Sequence, residues 1–272
     1  LEIGFVDVPG HERLVRKMVA GATGMGAAVL VVACDDGVMP QTLEHFEVLQ
    51  MLGVRHGLVA LTKADLADED MRLFVHADVE ELLSGSAWES AQVLEVSAHS
   101  GEGMEELRAA IRDLALNARS EVSSRYAFRL PVQRSFAMSG AGTVATGVCA
   151  SGTIEEGGNL VVLPGEGKSR VRRVQVHGRA AGVSSPGLRT ALNLPDLDPK
   201  DCRRGSVLAA PSTLTSGSLL RATIASLKDA PQLEHGMEIL LLAGTASVNG
   251  RIWLPPKTNE GELLVVDLQL EE

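Results

Sequence analysis

A chain of 272 residues, 45% of them apolar, is long enough for one to three domains with buried cores, and an aromatic content of 3% leaves Val, Leu, Ala and Ile to fill them. A net charge of −10 excludes a protein that coats nucleic acid through its overall charge, while leaving room for a local basic patch. Cys34, Cys149 and Cys202 stand apart with no C-x-x-C pair, which excludes a zinc or disulfide framework and fits small buried residues in a reducing compartment; no run approaches the roughly 18 apolar residues of a membrane span.

The opening stretch carries Ile3, Phe5 and Val6, which predict a strand feeding Asp7. Pro9-Gly10 then turns into a helical pattern with Leu14, Val15, Met18 and Val19 on one side. Strand, Asp-x-x-Gly, helix is an arrangement suited to sensing phosphate. The Asp7 carboxylate can hold a magnesium water shell, the Gly10 amide can reach a terminal phosphate, and His11 stands where a group orienting a water is useful. Asp-x-x-Gly alone is more often a plain turn, so its weight depends on the motifs downstream.

Ala27 to Cys34 is a continuous apolar run, as expected of a strand covered on both faces. Pro40 suits a first helical turn, and Leu43, Phe46, Leu49 and Leu52 come after it at threes as one stripe. His56 to Thr62 is the next strand. Met71, Phe74, Val75, Val79, Leu82 and Leu83 mark a helix, Val93 to Ser97 a strand, and Met104, Leu107, Ile111 and Leu114 a final helix. This alternation predicts a parallel sheet wrapped by helices. The pattern changes at the polar link 117–125. Beyond it, short glycine-broken strands predict a small β-barrel or sandwich, and a second soft link at 211–218 leads into more strands. The expected domains are 1–117, 125–213 and 218–272.

Two further motifs fall at the ends of predicted strands. In Thr62-Lys63-Ala64-Asp65 the carboxylate can accept two hydrogen bonds from guanine N1–H and its exocyclic amine, a donor pair adenine lacks; the Lys63 stem can lie along the base. In Ser97-Ala98-His99-Ser100-Gly101 backbone amides can donate to the guanine carbonyl, with Ser97 tightening the turn. Each motif alone is weak. All three, in order at strand C-termini, mark the edge where open α/β sheets bind ligands.

On Asp7-Val8-Pro9-Gly10-His11-Glu12-Arg13, Asp36-Gly37-Val38-Met39-Pro40-Gln41-Thr42, Leu61-Thr62-Lys63-Ala64-Asp65 and Gln175-Val176-His177-Gly178, the chain resembles the translational GTPases, and among them the selenocysteine-specific elongation factors (SelB type). The resemblance implies a truncated α/β P-loop-type GTPase domain, then a β-barrel domain like that of elongation factor Tu, then a partial second β-barrel. It implies GTP/GDP and Mg2+ as ligands, Asp7 (through water to the metal) and Gly10 at the γ-phosphate, and His11 positioning the hydrolytic water. Thr62, Lys63 and Asp65, with Ser97 and Ala98, would hold guanine. The first β-domain would clasp the aminoacyl end of selenocysteinyl-tRNA, with Arg134, Arg189 and Gln133 as candidates for the pocket; a guanidinium suits an ionised selenol. Where the family usually has Asp-Arg-x-Phe, this chain has Gln133-Arg134-Ser135-Phe136. The implied partners are selenocysteinyl-tRNA, the ribosome and, through a further C-terminal region, an mRNA structural element, all in the cytoplasm.

Lys168, Arg170, Arg172, Arg173 and Arg179 form a basic run that can meet tRNA phosphate or serve as a solvated strand face; alternation puts Arg170 and Arg172 on one side and Arg173 on the other. Gly167-Lys168-Ser169 lacks the upstream glycine and the subsequent helix of a phosphate loop, and Gly140, Gly142 and Gly147 read as a glycine-rich hairpin. No G-x-x-x-x-G-K-[ST] occurs in the 272 residues. The expectation is therefore that this loop precedes Leu1 in a longer factor, and that the chain by itself hydrolyses little or no GTP. Two other readings stand beside this one: a non-catalytic module that docks tRNA or protein with a degenerate G domain, and a translational GTPase for another aminoacyl-tRNA.

Overall fold

The computed structural model describes residues 3–7, 19, 24–118, 125–140, 142–225, 230–255 and 264–271. The first layer is a parallel three-stranded sheet in the order β1 (Ala27–Ala33), β2 (His56–Thr62), β3 (Gln92–Glu95). Val29 pairs with Leu58 and Val59 with Val93. The strands are joined through α1 (Pro40–Met51) and α2 (Glu69–Leu83), and α3 (Met104–Ala118) comes after β3. Pro40 opens α1, where its missing N–H costs nothing, and Thr42 Oγ1 accepts the Met39 N–H at 3.3 Å. Asp68 caps α2 by accepting the Met71 N–H at 2.9 Å.

One core joins Leu30, Val32, Val59, Leu61, Val75 and Val79 with Trp88. Trp88 stands edge-on to Phe46, with ring centroids 5.5 Å apart, and donates its indole N–H to the Val54 carbonyl at 2.7 Å. Gly57 makes that placement possible, because a Cβ there would lie 2.0 Å from Trp88 Cδ2.

Four expectations need correction here. Residues 3–7 form no strand: a strand exists only through hydrogen bonds to a neighbour, and among the described residues β1 pairs with β2 alone. Val31 is 60% exposed, so among the described residues only one face of β1 is covered at that point. In α1 only Phe46 and Leu49 are buried, while Leu43 and Leu52 are exposed. Four residues spaced by three turn through half a circle about a 3.6-residue helix, so the ends of such a stripe leave the core face. In α2 the buried set is Val75, Val79 and Leu83, at fours, and Met71 and Phe74 point to solvent.

The second region is antiparallel. Its strands are β4 (Arg129–Met138), β5 (Gly142–Val148), β6 (Ile154–Glu155), β7 (Asn159–Leu163), β8 (Lys168–Arg170), β9 (Arg173–Val176), β10 (Arg179–Ala180), β11 (Val183–Ser184), β12 (Arg189–Leu194) and β13 (Val207–Ala209). Eight of them run in the order β10-β9-β12-β5-β4-β13-β7-β8, with β11-β6 as a separate pair. Their core is aliphatic, built on Leu130, Val132, Leu160, Val174, Leu192, Leu194 and Leu208. Cys149 and Cys202 are buried in it, and burial pushes both thiols up to about 11. The third region has β14 (Leu219–Ile224), β15 (Glu238–Ala243), β16 (Ala246–Trp253) and β17 (Leu264–Leu270), in the order β14-β17-β16-β15 around Ile252, Val266 and Leu268.

Candidate functional site

The C-terminal ends of β2 and β3 carry the two base-reading motifs, and the backbone ties them together. The Ala64 N–H donates to the Val96 carbonyl at 3.2 Å, and Val96 N–H donates to the Leu61 carbonyl at 2.8 Å. Lys63 is left-handed, with φ 57°, and starts a short 3-10 turn over Ala64–Leu66 that sets Asp65 facing the next loop. In that loop Ser97 is fully buried. Its hydroxyl oxygen accepts the N–H groups of His99 at 3.2 Å and Ser100 at 3.0 Å, and its carbonyl accepts that of Gly101 at 2.9 Å. The Ala98 N–H has no acceptor among the described residues, so it is available to a ligand. The loop closes on Gly103 at φ +66°, where a Cβ would lie 2.0 Å from the Glu95 carbonyl oxygen.

Between the loops lies a cavity of about 540 Å³ lined by Thr62, Lys63, Asp65, Leu66, Ala98 and Met104 among others. It combines apolar walls with one carboxylate and one free amide, a combination suited to a flat heterocycle. A larger cavity of about 730 Å³ lies by Gly24–Gly26, Arg55, Tyr126 and Ser151. It has no carboxylate in its lining and sits at the strand N-termini, away from the motifs.

The Ser97 hydroxyl hydrogen-bonds to Asp65 and, outweighing partial burial, holds its carboxyl below the usual range; Asp65's own backbone N–H, His99 and Arg72 act in the same direction. His99 Nδ1 is 3.8 Å from Asp65 Oδ2. A carboxylate with a depressed pKa contributes stability above its unfolded pKa and loses it as pH falls through the folded value. Ser97→Ala is therefore expected to move the Asp65 midpoint up toward the ordinary carboxylate value, read by carboxyl-carbon NMR titration. An unchanged midpoint would refute the Ser97 contact.

Lys63 Nζ is 2.8 Å from both oxygens of Asp35 and 3.4 Å from Asp36, and the Asp35 contact chiefly raises its pKa. Thr62 turns its hydroxyl to the Val32 carbonyl at 3.4 Å, bracing β1 against β2. The structure thus brings together Thr62, Lys63, Asp65, Ser97 and Ala98. Asp7 is exposed in a stretch that packs elsewhere: a Cβ on Gly4 would meet His177 Cε1 at 2.9 Å. Gly10 and His11, with the helix expected after them, lie outside the described residues apart from Val19, which is helical. Among the described residues no group of three or more His, Cys, Asp or Glu converges as a metal site, and no helix is long and apolar enough to cross a membrane.

In the antiparallel region β4 pairs Val132 with Gly147 and Arg134 with Thr146, so Gln133 is the extra residue of a β-bulge. The bulge resets the alternation: Val132 stays in the core while Arg134, Phe136 and Met138 all face out. Thr146 pairs in turn with Ala191, two residues from Arg189, so Arg134 and Arg189 share the outer face. In the basic run Arg170, Arg172 and Arg173 are all exposed, because the chain leaves β8 at Arg170 and enters β9 at Arg173 with only Val171 turned inward. Arg170 Nε donates to the Gly157 carbonyl at 3.0 Å and Arg172 Nε to Asn193 Oδ1 at 2.6 Å. His177 and Gly178, both at positive φ, make the two-residue hairpin turn between β9 and β10.

Residues 1–117 match the family described as the elongation factor Tu GTP binding domain. The chain is 41% identical over 272 residues to the selenocysteine-specific elongation factor of Desulfomicrobium baculatum, covering 99% of this chain and 43% of that protein. It superposes on a crystal structure of a bacterial selenocysteine-specific elongation factor, EF-Sec, with a TM-score of 0.84 at 30% identity, covering 97% of this chain and 43% of that one. The chain is a homologue of the selenocysteine-specific elongation factors. This elongation-factor homologue also superposes, with a TM-score of 0.84 at 25% identity, on SelB from Methanococcus maripaludis in complex with the GTP analogue GppNHp, covering 98% of this chain and 62% of that one. It spans less than half the length of the Desulfomicrobium and EF-Sec relatives.

Sequence reasoning missed four side chains around the loops: Asp35, Arg72, Glu95 and Glu102. Asp35 carried a signal, since it lies just past β1 at the same sheet edge. The other three carried none, because their partners are distant in the chain.

Proposed function

We propose that this chain supplies the guanine-reading part of a GTP-dependent elongation factor that delivers selenocysteinyl-tRNA to the ribosome, in the cytoplasm. The observation that carries the reading is the meeting of two loops, tied from Ala64 to Val96, with the Asp65 carboxylate and the Ala98 N–H on one cavity. Asp65 accepts from guanine N1–H and the exocyclic amine, the Ala98 N–H donates to the guanine carbonyl, and the Lys63 stem and Leu66 flank the ring. Adenine reverses the donor–acceptor pattern and is rejected because it leaves Asp65 unpaired. The site fits guanine on these grounds.

Asp7, through water, would hold Mg2+, Gly10 would meet the γ-phosphate and His11 would orient the attacking water. The bound metal supplies charge neutralisation at the phosphates. No phosphate loop of the G-x-x-x-x-G-K-[ST] type is present in the 272 residues, so this chain by itself hydrolyses little or no GTP. The three regions 1–117, 125–213 and 218–272 act as a GTP-binding domain and two β-domains. Arg134 and Arg189, sharing one outer sheet face beside the Gln133 bulge, receive the aminoacyl end, and an mRNA structural element is bound by a further region.

Equilibrium binding of GDP and ADP to this chain tests the base reading, with GDP preferred; equal affinities reject it. Selenocysteinyl-, seryl- and cysteinyl-tRNA compared on the chain and on Arg134→Ala test the delivery reading. Selenocysteinyl-tRNA binds tightest, and Arg134→Ala narrows the gap by about 10-fold, the scale of one charged contact. Equal affinities for the three tRNAs reject the selenocysteine assignment.

A further inference from the structure

We propose that Arg72, outside every recognised motif, is the positioning residue that locks the two base-reading loops into one guanine-sized pocket. The inference rests on the guanine reading above.

Arg72 lies in the first turns of α2, with a side chain that is 24% exposed. Its Nη2 donates to the Ala64 carbonyl at 2.5 Å and its Nε to the Ala67 carbonyl at 3.2 Å, which closes the turn that carries Asp65. Its Nη1 reaches Glu95 Oε2 at 2.9 Å and Glu102 Oε1 at 3.0 Å. Glu95 ends β3 just before Ser97, and the Glu102 carbonyl accepts the Ser97 N–H at 2.9 Å. The second Glu95 oxygen is held by His76 Nε2 at 3.1 Å, so the carboxylate is braced from both sides.

One guanidinium therefore bonds to both loops behind the cavity, and the spacing between the Asp65 carboxylate and the Ala98 amide depends on it. Only a planar fork with five donors can make these four contacts together; a lysine ammonium cannot span them. Base reading is sensitive to that spacing, because guanine must meet an acceptor at one edge and a donor at the other at once. Arg72 acts through the loops and does not itself touch the base.

The test compares GDP with inosine diphosphate, which lacks the exocyclic amine, on the 272-residue chain. Their affinity ratio reports how well Asp65 is aimed, whereas a merely structural loss weakens both nucleotides alike. Arg72→Gln is expected to cut the ratio by about 10-fold, Arg72→Lys not to restore it, and Glu102→Gln to cut it by about 3-fold, each in proportion to the charged hydrogen bonds removed. Glu102 is half exposed, so its variant decides the matter if Arg72→Gln does not fold. Unchanged ratios in Arg72→Gln, or in Glu102→Gln where Arg72→Gln does not fold, overturn the inference. A parent chain that does not separate GDP from inosine diphosphate overturns the guanine reading itself, and this inference with it.

Discussion

Asp65→Asn is expected to lower the affinity of this chain for GDP by about 10²–10³-fold, the loss of two hydrogen bonds to a charged acceptor at about 1.5–3 kcal/mol each, reduced by the solvent that still reaches the site. The side chain keeps its size, so the fold is unaffected. The Asn amide retains one acceptor but offers guanine N1–H an N–H as well, donor against donor, and part of the pocket becomes repulsive. ADP binding does not fall, because the Asn amide removes the unpaired carboxylate that penalised adenine in the parent. Isothermal titration with both nucleotides on the parent and the variant reads the difference. A GDP affinity within about threefold of the parent would remove Asp65 from the site, because even one lost charged hydrogen bond exceeds that.

Trp88→Ala carries the largest expected cost in stability, about 3–5 kcal/mol, as for other large aromatic truncations in a packed core. Trp88 is 1% exposed, packs edge-on to Phe46 and satisfies the Val54 carbonyl. Its removal opens a cavity against Gly57 that a glycine has no side chain to fill, and it leaves a buried acceptor without its donor. The loss falls on the parallel-sheet region, whose core is separate from those of the two antiparallel regions. Thermal unfolding monitored by circular dichroism should show one transition move down while a later one stays in place. A cost below about 1 kcal/mol would mean that the site collapses around the missing ring.

The two predictions differ in how far the sequence alone reached. Asp65 was legible, because T-K-x-D at a strand end states its own chemistry: a carboxylate, one turn past β2, at the ligand-binding edge of a parallel sheet. Ser97 was legible in part. Its turn was expected, but its hydrogen bond to Asp65 was not, since the two residues lie on different loops. Trp88 fell in no predicted element, and its weight became visible only when Gly57 was seen to make room for the ring. β13 was likewise missed, because three residues carry too little periodicity to register, although β13 joins β4 to β7 in the second sheet.

From β1 to α3, the order of strands and helices, and the position of each base-reading motif at a strand end, were determined by the sequence by itself. These depend on local spacing and on turn residues a few positions apart, so the pattern is readable without neighbours. Facing and clamping were decided by tertiary structure. Arg134 faces outward because Gln133 is absorbed as a bulge against β5, a matter of register between two strands. Leu43 and Leu52 leave the core because a stripe at threes drifts around its helix. Arg72 clamps both loops because its carboxylate partners, 23 and 30 residues away in the chain, are delivered by β3 and the turn after it. A long side chain with five donors finds its acceptors in space, and that choice is made only when the sheet has brought the two loops together.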